Sequence, residues 1–279
     1  SACVRDIQSW CASMRLKLNA SKTELIWFDR STRLDEMERK LILDENCSIE
    51  PSDVVRDLGV LLDSKLSMKP HIASISRACF FHLRRIRQIK HCLNEHCLRT
   101  LVQALVMSRL DYCNSVLADL PSTTLKPLTA VLYTAARLVK SLGPRDHITP
   151  ALRELHWLPI QSRIQFKLSL LMFNIVVNNT SPSYMSSMVV PCAAIKAREG
   201  LRSATRGDFA PQRTIHGYGG RSFFMAGPDA WNKLSKSIRT SKTVHQFKSR
   251  LKTFLFAAHY ETNTRKCYCN ALLCKTCFC

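Results

Sequence analysis

Two sets of residues in this sequence could do metal chemistry if the fold brought them together. The first is a pair of aspartates, Asp57 and Asp63, at opposite ends of one predicted strand segment. Carboxylates that hold catalytic metal ions must converge on them, and no two aspartates of the 279-residue sequence are adjacent. We therefore interpret Asp57 and Asp63 as turn residues and predict no metal site from them.

The second set is a group of four cysteines close to the end of the sequence, Cys267, Cys269, Cys274 and Cys277. Four thiolates suit a tetrahedral zinc site, and Cys274 and Cys277 have the usual spacing of one half of such a site. The other pair is tighter, and the segment between the halves is short for a zinc knuckle. We expect free thiols at a chance or frameshifted end; the alternative is a zinc site.

The composition indicates a polyanionic partner. The sequence has 41 lysines and arginines against 21 aspartates and glutamates, a formal net charge of +20. A field of that sign favours nucleic acid; a basic domain without a ligand and an acidic membrane surface are the alternatives. The longest apolar run, residues 168–177, includes Asn174 and has about half the length that a membrane span needs.

Cysteine usage bears on the compartment. Eight of the 13 cysteines stand singly within apolar patterns, where a free thiol behaves as a small hydrophobe. A secreted protein would use so many cysteines as a disulfide framework. We therefore expect a reducing, intracellular compartment, without a distinction between nucleus and cytoplasm.

The spacing of apolar residues predicts an α+β fold that is predominantly α. Residues 1–15 have helical spacing, whereas residues 23–28 and 54–63 have the composition of strands. Gly59 lies at the centre of the second strand, which predicts a bulge or the close approach of another backbone.

Three amphipathic helices with short links follow and predict a small bundle. They cover residues 72–90, 98–120 and 125–142, and the last is followed by the stop signal Gly143-Pro144. Basic residues flank the apolar face of the first helix, namely Arg77, Arg84, Arg85, Arg87 and Lys90.

The remaining segment is helical at both ends and irregular between them. Residues 160–178 are apolar on nearly all sides and predict a buried helix, and residues 243–258 predict an amphipathic one. Trp157 and Trp231 lie in apolar patterns, so we expect both in a core. The outer side of the last helix carries Lys248, Arg250 and Lys252.

Several blocks of the sequence, in this order, resemble the reverse transcriptase of non-LTR retrotransposons of the jockey and chicken-repeat kind. The blocks are DIQSWCASMRLKLNASKTELIWF at 6–28, VRDLGVLLDSKLSMKPHI at 55–72, SRLDYCN at 108–114, HITPALRELHWLPIQSRIQFK at 147–167 and GRSFFMAGPDAWNKLSKSIR at 220–239. The resemblance covers roughly residues 4–260. Asp119 stands where a small residue is expected, a departure that suggests a decayed copy.

The resemblance implies an organisation and an activity. Residues 1–66 would be the end of a polymerase palm, 67–145 a helical thumb, 146–260 a basic C-terminal domain and 261–279 a cysteine-rich tail. The family synthesises DNA on an RNA template with two magnesium ions, which an aspartate pair in a preceding block holds. The sequence starts at Ser1, just after that block, so we expect a fragment without polymerase activity of its own.

The resemblance also gives roles to single residues. Lys22 matches the lysine of a palm motif and would be the general acid that protonates pyrophosphate; the alternative is a surface lysine in a turn. Gly59 falls in the primer-grip region and would let the backbone approach a primer end; the alternative is an ordinary buried hairpin. The basic residues of helices 72–90 and 243–258 would hold phosphates of an RNA template, a DNA primer or their hybrid; the alternative is a solvated helix face.

Three functions are open on the sequence alone. The chain is a template–primer-binding fragment of a polymerase, a non-catalytic RNA- or DNA-binding module, or a translated relic without a selected role. Binding to nucleic acid that depends on salt separates the second function from the third.

The missing aspartate pair generates a first prediction. We expect only background primer extension by this chain on an RNA template with magnesium or manganese, because two-metal catalysis needs converging carboxylates. Extension of an end-labelled primer by the purified chain measures this, with a mock purification as the control. Extension that persists through purification and is absent from the mock preparation would show that the chain has its own catalytic centre.

Overall fold

The computed structural model describes residues 2–28, 41–44, 47–178, 180–198, 200–210 and 219–273. The chain divides into two compact units, Ser1–Ser74 and Ile75–Cys279. Helices dominate the described residues, and the strands form two small antiparallel pairs. The predicted α+β class with predominant helix is therefore confirmed. Among the described residues, no helix is long and apolar enough to cross a membrane.

The first unit combines one helix with two hairpins. Its elements are α1 (Ala2–Ser13), a 3-10 turn (Ala20–Lys22), β1 (Leu41–Asp44), β2 (Cys47–Ile49), β3 (Val54–Asp57) and β4 (Val60–Asp63). Strand β1 pairs antiparallel with β2, and β3 pairs antiparallel with β4. The predicted helix at residues 1–15 is confirmed as α1.

The hairpin of β3 and β4 corrects the prediction of a single strand over residues 54–63. Val54 pairs with Asp63 and Asp57 pairs with Val60, so the loop is only Leu58 and Gly59. Leu58 has φ 44° and Gly59 has φ 85°, as a type I′ turn requires at both central positions. Gly59 thus lies at an exposed hairpin tip and not in a strand. Glycine suits this position because it adopts a positive φ without steric strain.

The predicted strand at residues 23–28 is wrong. Only Leu25 pairs, through one parallel bridge to Pro51, and the N–H of Ser52 donates to the carbonyl oxygen of Leu25 at 2.8 Å.

Helix α1 has an apolar side that stays exposed. Ile7 and Trp10 share that side and Met14 directly follows the helix, and these three side chains are 45%, 61% and 58% exposed. Exposed apolar groups that form a contiguous patch are unusual on the surface of a monomeric protein. Nothing among the described residues covers this side.

Asp63 has the structural role that its interpretation as a turn residue predicts. It is buried at the end of β4, and its carboxylate accepts hydrogen bonds from the N–H groups of Ser67 and Met68 at 2.9 and 2.8 Å. Burial by itself raises the pKa of this carboxyl, but the bonds from Ser67 and Met68 outweigh burial and hold the pKa below its ordinary value. The charged carboxylate is therefore favoured in the loop before the next helix.

Eleven further helices among the described residues follow β4. They are α2 (Lys69–Ile89), α3 (Glu95–Val102), α4 (Ser108–Asp111), α5 (Ser122–Lys140), α6 (Ile148–Glu154), α7 (Ile160–Phe173), α8 (Ser183–Ser187), α9 (Arg202–Thr205), α10 (Phe223–Asn232), α11 (Lys236–Arg239) and α12 (Val244–Leu273). The predicted helices at residues 72–90, 125–142, 160–178 and 243–258 are confirmed as α2, α5, α7 and α12. Their ends differ from the predicted ones by a few residues, and α12 runs further.

The predicted helix over residues 98–120 is wrong as a single helix. A π turn, Gln103–Met107, joins α3 to α4, and the helix then breaks at Cys113, which has φ 49°. A left-handed residue cannot continue a right-handed helix, so a separate 3-10 turn, Asn114–Leu117, begins after it.

The core of the second unit forms where α7, α10 and α12 meet. The rings of Phe173 and Phe247 stack with centroids 4.2 Å apart, and the centroid of Trp231 lies 6.1 Å from that of Phe247. Trp157 and Trp231 are both buried, which confirms their predicted place in a core. Large aromatic side chains bury the most apolar area per residue, so this cluster stabilises the unit strongly.

Arg239 is the one buried arginine among the described residues, and it joins the segment before α10 to this core. Its Nη1 lies 2.6 Å from a carboxylate oxygen of Asp208 and also donates to the carbonyl oxygen of Arg206. Its Nε and Nη2 donate to the carbonyl oxygens of Leu234 and Asn232. A buried guanidinium is tolerated because its donors are paired and its charge is matched.

The Arg239 network generates a prediction about stability. We expect Arg239→Ala to lower the free energy of unfolding by about 3 kcal/mol, because Asp208 and several carbonyl groups lose their partner. Urea unfolding followed by circular dichroism measures this. Arg206→Ala is the control, since the Arg206 side chain is exposed and lies 3.7 Å from Asp208, and such a contact contributes about 0.5 kcal/mol or less. Equal losses in the two variants would refute the role of Arg239.

Candidate nucleic-acid interface

Lys22 and Gly59, the two predicted polymerase-site residues of the first unit, both lie in exposed turns. Lys22 ends the 3-10 turn that Asn19 organises, since the N–H of Ser21 donates to Oδ1 of Asn19 at 3.0 Å. The hydroxyl of Thr23 also donates to the carbonyl oxygen of Asn19 at 3.0 Å. This geometry is what the turn interpretation predicts, and the general-acid role of Lys22 stays a prediction.

Helix α2 presents a basic outer face. Its buried side contains Cys79, Leu83 and Ile86, and the spacing of these residues turns the arginines toward solvent. The sequence of α2 contains no aspartate or glutamate, so no acidic side chain within the helix neutralises that charge. The exposed arginines are Arg77, Arg84, Arg85 and Arg87.

Two phenylalanines lie among these arginines. The side chains of Phe80 and Phe81 are 37% and 56% exposed, although both belong to a helix with a well-formed buried side. An exposed aromatic ring beside guanidinium groups can stack on a base while the guanidinium groups contact phosphates. Sequence patterning alone did not indicate that these rings are exposed.

A groove of about 520 Å³ opens where the end of α2 meets the end of α5. Three cations line it: Arg87 and Lys90 from the α2 side and Arg137 from α5. Thr134, Leu138 and Ser141 form much of the remaining lining, and none of the described lining residues is acidic. The groove therefore attracts anions.

Arg137 is held in a fixed position in this groove. Its Nε donates to the carbonyl oxygen of Gly143, and its Nη2 to that of Asp146, both at 3.2 Å. Lys140, one turn further along α5, instead forms ion pairs with Glu95 and Glu154. The sequence suggested only that Arg137 lies near the end of a helix, because its neighbours in the groove come from α2, about 50 residues earlier.

The basic residues of α12 are exposed as predicted, but they do not form one surface. Lys248 and Lys252 are four positions apart, so they share a side of the helix and line a second cleft. Arg250 points elsewhere, and its Nη1 donates to the carbonyl oxygen of Ser237 at 2.7 Å. Arg250 therefore holds α12 to α11, and its predicted contact with a phosphate would compete with that bond.

The side chains of the candidate zinc ligands lie outside the described part of the chain. Cys274 and Cys277 lie outside the described residues, and for Cys267 and Cys269 the description extends only to the backbone of α12. Within the described part of the chain, no three histidine, cysteine or acidic side chains are grouped as a metal ion would require. The free thiols expected in the tail, with zinc as their alternative, and magnesium in an intact polymerase stay predictions.

Comparison with known proteins adds no family. No protein-family model matches the chain. No curated protein matches it. No solved structure matches it.

The groove generates a prediction about affinity. Replacing Arg87 and Lys90 by alanine should weaken binding to duplex nucleic acid and lower the slope of log K against log salt by about 0.9 for each lost phosphate contact. Fluorescence anisotropy with a labelled duplex at several salt concentrations measures both quantities. The control replaces Lys126 and Lys196, which are exposed outside the groove, and should leave the slope nearly unchanged. The same change of slope in both double variants would mean that only total charge matters.

Proposed function

We propose that this chain binds nucleic acid, as the part of a non-LTR retrotransposon reverse transcriptase that holds template and primer. The observation that carries the proposal is the outer face of α2. It combines four exposed arginines with two exposed phenylalanines, contains no acidic residue, and ends at a basic groove.

The spacing along α2 suits a row of phosphates. Arg77 and Arg87 are ten residues apart, which is roughly 15 Å along an α-helix. A strand of duplex DNA has a phosphate about every 3.4 Å of its axis, so this distance corresponds to roughly four steps. Arginine is suited to such contacts because its planar guanidinium group can donate two parallel hydrogen bonds to one phosphate.

The proposed binding positions the nucleic acid and does not read its sequence. Contacts to phosphates fix the register of a duplex but are the same for every base pair. A polymerase must move along any template, so its thumb requires this kind of contact. The proposed partners are an RNA template, a DNA primer and their hybrid, in an intracellular compartment. Magnesium would belong to the intact polymerase, whose paired aspartates are not in this sequence.

A non-catalytic binding module is the second candidate function. It requires the same face of α2 and the same groove, but no chemistry. The absence of adjacent aspartates from the sequence favours it for this chain acting alone. The exposed phenylalanines and the groove lined by three cations argue against a relic, because a chain without a role would have no reason to keep them.

The proposal predicts strong dependence of binding on salt. If about four phosphates are neutralised, the affinity for an RNA–DNA hybrid should fall roughly 300-fold between about 0.1 and 0.5 M salt. Anisotropy titrations of a labelled hybrid measure this, and hybrids of unrelated sequence should bind within a few-fold of one another. Charge reversal by Arg77→Glu and Arg84→Glu should abolish binding, and the Lys126→Ala, Lys196→Ala control should retain it. Absence of binding at low salt, or binding unaffected by salt, would overturn the proposal.

A further inference from the structure

A second cleft in the Ile75–Cys279 unit, of about 420 Å³, has a different character from the groove. Its lining comes from α3, α4, the 3-10 turn after α4, the turn before α7, α7 itself and α12. Cations lie on one part of the lining, and apolar side chains such as Trp157 and Phe166 form another. The volume falls within the range of about 300–1,000 Å³ that is usual for sites of small organic ligands.

Three ammonium groups face this cleft without an acidic partner among the described residues. They belong to Lys167 of α7 and to Lys248 and Lys252 of α12. The one carboxylate in the lining is that of Asp111, and both of its oxygens lie within 2.9 Å of Nη1 of Arg163. Because Arg163 neutralises Asp111, the cleft has an excess of positive charge that an anion can match.

The lining also contains a buried acceptor with no partner. Asn114 is only 4% exposed, and its Oδ1 forms no hydrogen bond among the described residues. It stands at the start of the 3-10 turn that the left-handed Cys113 creates. A buried acceptor without a donor is unfavourable by about 1–3 kcal/mol, so a ligand that donates a hydrogen bond there would bind better.

We propose that this cleft holds one unpaired nucleotide of the bound strand, an inference that deepens the proposed function and rests on it. The phosphate lies among Lys167, Lys248 and Lys252, the base lies along Phe166, and an N–H group on the free edge of the base donates to Oδ1 of Asn114. A paired base cannot enter, because its edge and its faces are already occupied within the duplex. Every unpaired base can supply this donor, since adenine, cytosine and guanine have an amino group and uracil and thymine have an N3–H group. The cleft therefore selects unpaired nucleotides over paired ones.

The test compares a blunt RNA–DNA hybrid with the same hybrid that has an unpaired tail of adenines or of uracils. The adenine tail should tighten binding about tenfold, since stacking of one base on an aromatic ring contributes about 1–3 kcal/mol. The uracil tail should tighten it less, because a pyrimidine has a smaller face to stack on Phe166. Lys248→Ala with Lys252→Ala should remove the gain from the adenine tail, so that this variant binds the tailed and the blunt hybrid equally.

Matched variants separate the cleft from total charge and from folding. Lys236→Ala with Lys242→Ala removes the same charge from exposed positions outside the cleft, and should keep the full gain from the tail. Phe166→Leu keeps the lining apolar and should reduce the gain, with an unchanged melting temperature as the check on folding.

Each outcome bears on one claim. If the wild-type chain binds blunt and tailed hybrids equally, the inference fails and the proposed function stands. If the chain binds neither, the proposed function fails with it. A uracil tail that binds better than an adenine tail would overturn the assignment of Phe166 as the stacking surface. Free adenosine monophosphate that binds as tightly as the tail would make the ligand a soluble nucleotide and overturn the assignment to a strand.

Discussion

The buried guanidinium group of Arg239 is the interaction on which the arrangement of the second unit depends. Its bonds fix residues 206–208, the ring of Phe209 then meets Trp231 edge to face, and Trp231 lies against Phe247 of α12. Because Phe247 must face this cluster, the rotation of α12 about its own axis is fixed. The exposed positions of α12 follow from that rotation, so a buried charge determines where surface charges lie.

The surface cations differ in how far the protein itself uses them. Arg137, Lys140, Arg163 and Arg250 donate to carbonyl or carboxylate oxygens of the chain. The arginines on the outer face of α2 have no acidic side chain within their helix. Net charge therefore predicts that the partner is a polyanion, but it overstates how many of the cations are free to contact that partner. On α12, likewise, Arg250 is bonded to the chain itself, whereas Lys248 and Lys252 line the cleft. All three count equally in the net charge.

The sequence predicted the long helices well, because α2, α5, α7 and α12 have apolar residues at helical spacing that the packing then buries. It also placed Trp157 and Trp231 correctly in a core. It failed where one residue decides the local backbone: the turn at Leu58 and Gly59 divides one predicted strand, and Cys113 ends one predicted helix. Within the candidate interface, the sequence predicted α2. It did not predict the groove and the cleft, because each combines residues that are far apart in the sequence, such as Arg137 with Arg87 and Asn114 with Lys248.

The exposed apolar side of α1 affects how copies of this protein associate in solution. Copies of a chain with a formal charge of +20 repel one another at low ionic strength, and that repulsion keeps the Ile7, Trp10 and Met14 sides apart. Salt shortens the range of the repulsion while it leaves apolar attraction intact or strengthens it. If the chain binds a polyanion as proposed, the ionic strength that releases the polyanion therefore also promotes association between copies of the chain. A bound polyanion would act as a solubilising agent for the whole chain.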